Sequence, residues 1–332
     1  MERQPGWAII GAGTIANEMA TTFSEMGKRF LGIYNRTYEH AEAFALKYGA
    51  ERVYRSSADL CADPDVDIVY IATPHNTHYG YIKECLLAGK HVLAEKSITL
   101  NSAQLDELYG TAEGKGLILA EAQTIYHMPL FKQLWAMKDS GELGRVKVIS
   151  ANFGSFKQYD MNNRFFNMAL GGGALLDIGV YALSAVRSFM DQDPSKVFSV
   201  MVPSPTGSDE MSAVALATDS GQVATVALSM HAKQPKRIMI SFDKGYIEIP
   251  NYPKAENAYL TLTESGETKE IRAGRSSMAY AYETEDMEEA VRRGDPSLMK
   301  TELTKNVMHI MSSIREEWGL KYPEEEENGG IS

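Results

Sequence analysis

Cysteine is nearly absent. Cys61 and Cys85 are the only two in the chain and lack C-x-x-C spacing, so neither a disulfide framework nor a structural zinc site is supported, and a reducing compartment fits. Basic residues are in deficit, 33 against 44 acidic ones, and with a net charge of −11 and no long basic block nucleic acid is not an expected partner. No apolar run approaches the ~20 residues of a membrane span, and Met1-Glu2-Arg3-Gln4-Pro5-Gly6 runs straight into a short apolar stretch, so no membrane partner is expected and a cytoplasmic location is. What is present is an ordinary globular composition, 44% apolar and 23% charged. At about 100 to 200 residues per domain, 332 residues predict two domains.

The first third alternates short apolar runs with helical periodicity, the pattern of parallel strands joined by crossover helices. Trp7-Ala8-Ile9-Ile10 reads as a strand, and Ile15, Met19, Phe23 and Met26 follow at helical spacing. Phe30 to Tyr34, Val66 to Ala72, His91 to Ala94 and Gly116 to Ala120 read as further strands, with helices over residues 38 to 48 and around Tyr81, Cys85 and Leu86. Beyond about residue 122 the pattern changes. Val146 to Phe153, Ala213 to Ala217, Val223 to Leu228, Arg237 to Phe242 and Tyr246 to Ile249 alternate like half-buried strands. The turn signals Asp219-Ser220-Gly221 and Asp243-Lys244-Gly245 predict an antiparallel meander. Leu303 to Trp318 is an amphipathic helix, and Glu324 to Glu327 read as a solvated acidic tail. The expected fold is α/β: a doubly wound parallel sheet over residues 1–122, then an α+β domain over 123–332 with a large, mostly antiparallel sheet.

Gly11-x-Gly13-x-x-Ala16 lies on the first strand-to-helix turn. There the first glycine makes the turn, the second lets backbone approach a pyrophosphate, and Ala16 allows close helix–sheet packing. Thr14 and Ile15 open the helix at that site. The second strand ends in Asn35-Arg36-Thr37, without the carboxylate that would bind a ribose 2′-hydroxyl. A guanidinium beside a neutral amide suits a 2′-phosphate, so NADP(H) is the expected cofactor, with NAD possible if Arg36 only stacks on adenine.

Three more segments complete a pattern: Ala72-Thr73-Pro74-His75-Asn76-Thr77-His78, Ala88-Gly89-Lys90-His91-Val92-Leu93-Ala94-Glu95-Lys96, and Gly171-Gly172-Gly173-Ala174-Leu175-Leu176-Asp177-Ile178-Gly179-Val180-Tyr181. With the glycine turn, they make the chain resemble the Gfo/Idh/MocA oxidoreductases over nearly its whole length. Within that family the likeness is to the branch of dihydrodiol, D-xylose and glucose–fructose enzymes. The resemblance implies hydride transfer to or from nicotinamide, cofactor contacts at Thr73, Pro74, Asn76, His78, Glu95 and Lys96, and a homodimer or higher oligomer. The need to cover the open face of the second sheet points to the same assembly.

The resemblance also places Lys96 beside the reacting oxygen, where its ammonium would stabilise negative charge and lower the pKa of a neighbouring acid. Asp177 and Tyr181 are four residues apart, one helical face. Tyr181 stands where many relatives have His and reads as the acid–base group, with Asp177 orienting the substrate hydroxyl or Lys96. A core role for Tyr181 and a helix-cap role for Asp177 are the structural alternatives. His75 and His78 lack the further ligands of a metal site, so no metal is expected.

Two departures from the family pattern stand out: Ser97 where relatives have Pro after the lysine, and Tyr126-His127 where they have Arg-Phe. Tyr126, His127 and Arg164 are candidate substrate contacts, Arg164 equally a surface ion-pair partner. The expected activity is a dehydrogenase or reductase acting on a secondary alcohol of a sugar, cyclitol or diol. A cofactor-sensing regulator and an NAD-dependent glycosidase are the alternatives.

Overall fold

The computed structural model describes residues 3–328. Met1-Glu2 of the N-terminal segment, and the side chains of Glu326 and Glu327 in the acidic tail, lie outside the described residues. Two compact units divide the chain: Met1–Gln123 with Tyr280–Thr301, and Thr124–Ala279 with Glu302–Ser332.

The first unit is built in chain order from β1 (Trp7–Ile10), α1 (Thr14–Glu25), β2 (Gly32–Tyr34), α2 (Tyr38–Tyr48), β3 (Arg52–Val53), α3 (Ser57–Ala62), β4 (Ile68–Ile71), α4 (His75–Leu87), β5 (His91–Glu95), α5 (Ser102–Gly114) and β6 (Leu119–Ala122). Its six strands are all parallel in the order β3-β2-β1-β4-β5-β6. β1 and β4 are buried at every position, as strands covered by helices on both faces must be. Strand order reverses between β1 and β4, and the crevice beyond their carboxyl ends is where doubly wound sheets take ligands. Phe23 stacks on Phe30 at 4.3 Å and meets the edge of Trp7 at 5.4 Å, closing the core between α1 and the sheet.

The second unit opens with α6 (Pro129–Asp139) and β7 (Val146–Gly154), followed by a five-residue π turn (Leu175–Gly179) that runs into α7 (Val180–Phe189). Then come β8 (Lys196–Pro203), β9 (Asp209–Ala217), β10 (Val223–Ser229), β11 (Gln234–Phe242), β12 (Gly245–Pro250), β13 (Asn257–Leu262) and β14 (Thr268–Arg272). They form one eight-stranded sheet in the order β14-β13-β12-β11-β7-β10-β9-β8. The expected meander is therefore interrupted. β7 sits between β10 and β11, parallel to the first and antiparallel to the second, so β10 and β11 do not pair with each other. A nine-residue strand placed centrally satisfies its backbone groups on both edges, which an edge position would leave open. α7 covers one face of the sheet, burying Leu183, Val186 and Phe189 completely. Met168–Phe189 is long and apolar enough to span a membrane by composition, but 83% of its apolar 18-residue window is buried here as the core of this unit.

Three helices close the chain: α8 (Ala279–Arg293), α9 (Thr301–Trp318) and α10 (Pro323–Asn328). Residues Tyr280–Thr301, expected with the second domain, belong to the first. Met287, Ala290 and Met299 join the aromatic core there, and Glu288 accepts hydrogen bonds from Trp7 Nε1 at 2.9 Å and Lys28 Nζ at 2.5 Å. The acidic tail is not wholly solvated either. Glu325 pairs with the buried Arg315 and accepts from the Tyr322 amide at 2.8 Å, which anchors α10.

Candidate active site

In the first unit the glycine turn has a cause at each position. Gly11 is held at φ +108°, its amide donates to the Tyr34 carbonyl at 2.9 Å, and a Cβ there would meet the Ala72 carbonyl at 2.4 Å. Gly13 is different: a Cβ would meet nothing within 4 Å. It is the N-cap of α1 and supplies no side-chain cap, and the first turn carries no acid. The amides of that turn, Thr14 and Ile15 among them, are thus left to an anion, and the cradle over Gly13 fits a dinucleotide pyrophosphate. Ala16 is fully buried against the sheet.

At the end of β2, Asn35 donates from Nδ2 to the Thr37 carbonyl at 2.9 Å, shaping its own loop. Arg36 is exposed and has no acidic partner among the described residues. A second guanidinium, Arg55, lies 4.6 Å over the ring of Tyr38, the first residue of α2. No motif in the sequence points to it, because it comes from the segment after β3.

Between β4 and α4, Thr73 accepts from the Thr77 hydroxyl at 2.8 Å, and Pro74 caps α4 without a side-chain bond, with Asn76 in the first turn. His78, expected against the cofactor, is instead in the interior. It is 0% exposed, with Nδ1 3.0 Å from the Ser97 carbonyl and Nε2 2.8 Å from the Thr73 carbonyl. Burial holds its pKa below the usual imidazole range, against the pull of those carbonyls. It ties together the loops that carry Thr73 and Lys96. Glu95 is buried as well, accepting from the Tyr70 hydroxyl at 2.5 Å, and so faces the sheet core. Lys96 follows it, half-buried at the carboxyl end of β5. His75 and Glu121, which the sequence does not single out for this, bind the same loop: His75 Nε2 lies 3.0 Å from the Lys96 carbonyl, and Glu121 accepts from the Ile98 amide at 3.1 Å.

In the second unit Tyr126 and His127 are both fully buried. The Tyr126 hydroxyl donates to Ser184 Oγ on α7 at 3.0 Å. They are core residues, and the expectation that they contact substrate is corrected on that ground. Asp177 lies in the π turn and pairs with Arg164, Nη1 to Oδ1 3.1 Å, so the arginine reaches the candidate catalytic carboxylate. Single π turns of this kind recur at functional sites. Tyr181 begins α7 half-buried, its ring stacked on Phe153 at 6.0 Å between centroids.

The buried Asp209 fixes the start of this segment, accepting from the Leu175 amide at 2.6 Å. Burial pushes its carboxyl up to about 7. Nothing in the local sequence signals it, because the partner lies 34 residues upstream.

Comparison with known proteins places the chain among relatives. Residues 6–123 match the family description "Oxidoreductase family, NAD-binding Rossmann fold", and residues 131–248 match "GFO/IDH/MocA C-terminal domain". Trans-1,2-dihydrobenzene-1,2-diol dehydrogenase of Xenopus tropicalis is 28% identical over 96% of this chain and 99% of its own. Among solved structures, KijD10, a 3-ketoreductase from Actinomadura kijaniata in complex with NADP and TDP-benzene, aligns with a TM-score of 0.83 at 24% identity, over 95% of this chain and 98% of its own. UDP-N-acetylglucosamine 3-dehydrogenase GnnA from Acidithiobacillus ferrooxidans aligns at 0.80 and 21%, over 93% and 96%.

Proposed function

The chain belongs to the Gfo/Idh/MocA oxidoreductase family, and from that premise we propose that it moves hydride between NADP(H), in preference to NAD(H), and a secondary alcohol or carbonyl of a sugar, cyclitol or trans-diol. Arg36 carries the cofactor preference: an exposed guanidinium stands at the end of β2, where a carboxylate would bind the 2′-hydroxyl of NAD. The names of the relatives, a trans-diol dehydrogenase, a 3-ketoreductase and a sugar-nucleotide 3-dehydrogenase, support the substrate class.

The nicotinamide, when bound, accepts or donates the hydride. The chain supplies the rest. The amides of the α1 turn hold the pyrophosphate, and Tyr181 takes the proton of the reacting hydroxyl as phenolate or returns it as phenol. Lys96 of the first unit stabilises charge on the reacting oxygen, and in the second unit Asp177, steadied by Arg164, orients the reacting hydroxyl.

Calorimetric titration of the cofactor-free protein with NADP⁺ and NAD⁺ tests the first half. NADP⁺ should bind at least tenfold tighter, about 1.4 kcal/mol, and the margin should collapse in Arg36→Ala. Equal affinities overturn the preference. For the second half, Tyr181→Phe should cost about a hundredfold or more in kcat with NADP⁺ affinity retained. Full activity in that variant removes Tyr181 from the acid–base role.

The proposal extends to a homodimer. The face of the second sheet opposite α7 exposes Phe198, Val200, Val202, Val148 and Val223 on neighbouring strands, and no charged side chain lies between them along the register Val200–Ala213–Ala227–Asn152. An apolar face of this continuity suits a second copy of the same face.

A further inference from the structure

Around Tyr181 the second unit gathers positive charge that hydride transfer does not use. The Phe153 ring on which Tyr181 stacks also carries the Lys236 ammonium, 4.6 Å over its centroid. A second path leaves from Asp177. Its partner Arg164 lies 4.5 Å over the ring of Phe165, and the Lys157 ammonium lies 4.4 Å over the same ring. The two paths meet, because Lys157 and Lys254 stand near enough to Lys236 to oppose its charge. Together with burial, the larger cause, they hold its pKa below the usual lysine range.

Neither Lys157 nor Lys236 has an acidic partner among the described residues, and the one carboxylate on either path, Asp177, is taken by Arg164. The backbone of Lys157 is fixed as well. His231 Nδ1 lies 2.8 Å from its carbonyl, and the His231 ring stacks on Tyr159 at 4.1 Å and on Phe156 at 5.1 Å.

In a chain of net charge −11, mutually repelling lysines beside a candidate catalytic tyrosine are not background. They are unfavourable to one another unless an anion joins them, and flexible ammonium groups seated on aromatic rings are suited to a phosphoryl oxygen. We propose that Lys157 and Lys236 form an anion subsite next to Tyr181, and that the substrate is a sugar bearing a phosphoryl group. This rests on the reading of Tyr181 as the acid–base group and narrows the polyol class to its phosphorylated members.

The test uses protein saturated with NADP⁺, so that the cofactor's own phosphate sites are filled. Inorganic phosphate should bind by calorimetry, at least tenfold more weakly to K157Q/K236Q and with unchanged affinity to K115Q/K269Q, which removes the same charge elsewhere. Kinetics then compare a neutral hexose, its phosphate ester, the corresponding uronate and a nucleoside diphosphate hexose. The phosphorylated compounds should have a KM at least tenfold below that of the neutral sugar, and K157Q/K236Q should erase the advantage mainly in KM. A better ester than sugar nucleotide places the phosphoryl group on the sugar itself, and the reverse places it in a diphosphate bridge.

Phosphate affinity equal in the wild type and K157Q/K236Q, or absent from both, overturns the subsite, and a preference for the uronate overturns the phosphorylated substrate. If phosphate binding falls in K157Q/K236Q but no sugar is turned over, the subsite stands and the oxidoreductase reading fails. If neutral polyols are turned over in preference to phosphorylated ones, the oxidoreductase reading stands and the phosphorylated substrate class fails.

Discussion

Asp209 makes the sharpest use of burial in this chain, and Asp209→Asn turns that into a measurement. The carboxyl is wholly buried at the start of β9 and accepts from the Leu175 amide, with Arg315 and Tyr322 as the charged or titratable groups facing it. Burial raises its pKa from 3.8 to about 7, because the charged form loses more hydration than that hydrogen bond and Arg315 restore. A raised carboxyl binds its proton more tightly in the folded state than in the unfolded one. Its contribution is therefore full below pH 4 and is lost as pH rises through about 7. At about 1.36 kcal/mol per pH unit, the loss between pH 5 and pH 7 comes to about 2 kcal/mol. Asparagine keeps an oxygen for the Leu175 amide and cannot titrate. Urea unfolding followed by circular dichroism, at half-unit steps from pH 5 to 8, should show the wild type losing about 2 kcal/mol relative to D209N and then running parallel to it. Parallel curves over the whole range would refute the assignment of a buried, protonated carboxyl.

Other outcomes follow from the same geometry. Gly173 sits at φ +130° with Asp209 Oδ1 2.0 Å from where a Cβ would be, so Gly173→Ala should destabilise by at least about 2 kcal/mol and lower kcat; a neutral result by urea titration would contradict the cap geometry. Val200→Glu places a charge on the open sheet face, and light scattering should find the dimer weakened at least tenfold; a monomeric wild type at micromolar concentration would end that reading. Cys61 and Cys85 are 4% and 0% exposed with their Sγ atoms 3.5 Å apart, so both thiols should resist an aromatic disulfide reagent until urea unfolds the chain, and prompt native-state labelling of both would contradict their burial.

The parallel half of the fold was legible because each of its signals is local. Apolar runs, helical spacing and the Gly11-x-Gly13 turn all lie within a few residues of the element they specify, and β1, α1, β4 and α4 fall where that pattern puts them. The antiparallel half was legible strand by strand but not as a sheet. Alternation at Val223 to Leu228 and Arg237 to Phe242 reveals which face is buried, yet it carries no record of which strand lies alongside, and β7 enters between them from about seventy residues earlier. The return of Tyr280–Thr301 to the first unit was hidden for the same reason. An amphipathic helix shows that it needs a core, not whose core it joins.

The site divides along the same line, and the loop after β5 shows why. Lys96 could be picked out from its neighbours in sequence, whereas what holds it is spread over two other segments besides its own strand. The Lys96 amide donates to Glu95 Oε2 at 3.3 Å, the Lys96 carbonyl faces His75 at 3.0 Å, the Ser97 carbonyl faces His78 at 3.0 Å, and the Ile98 amide donates to Glu121 at 3.1 Å. A proline after this lysine, which the family resemblance leads one to expect, would limit the backbone by its ring. Here Ser97 occupies that position, and side chains from α4 and β6 hold the backbone on either side of it. The buried histidines and Glu121 thus do by hydrogen bonding what a proline would do covalently. His78 and Glu95, read from the sequence as cofactor ligands, thus also bond the backbone that carries Lys96.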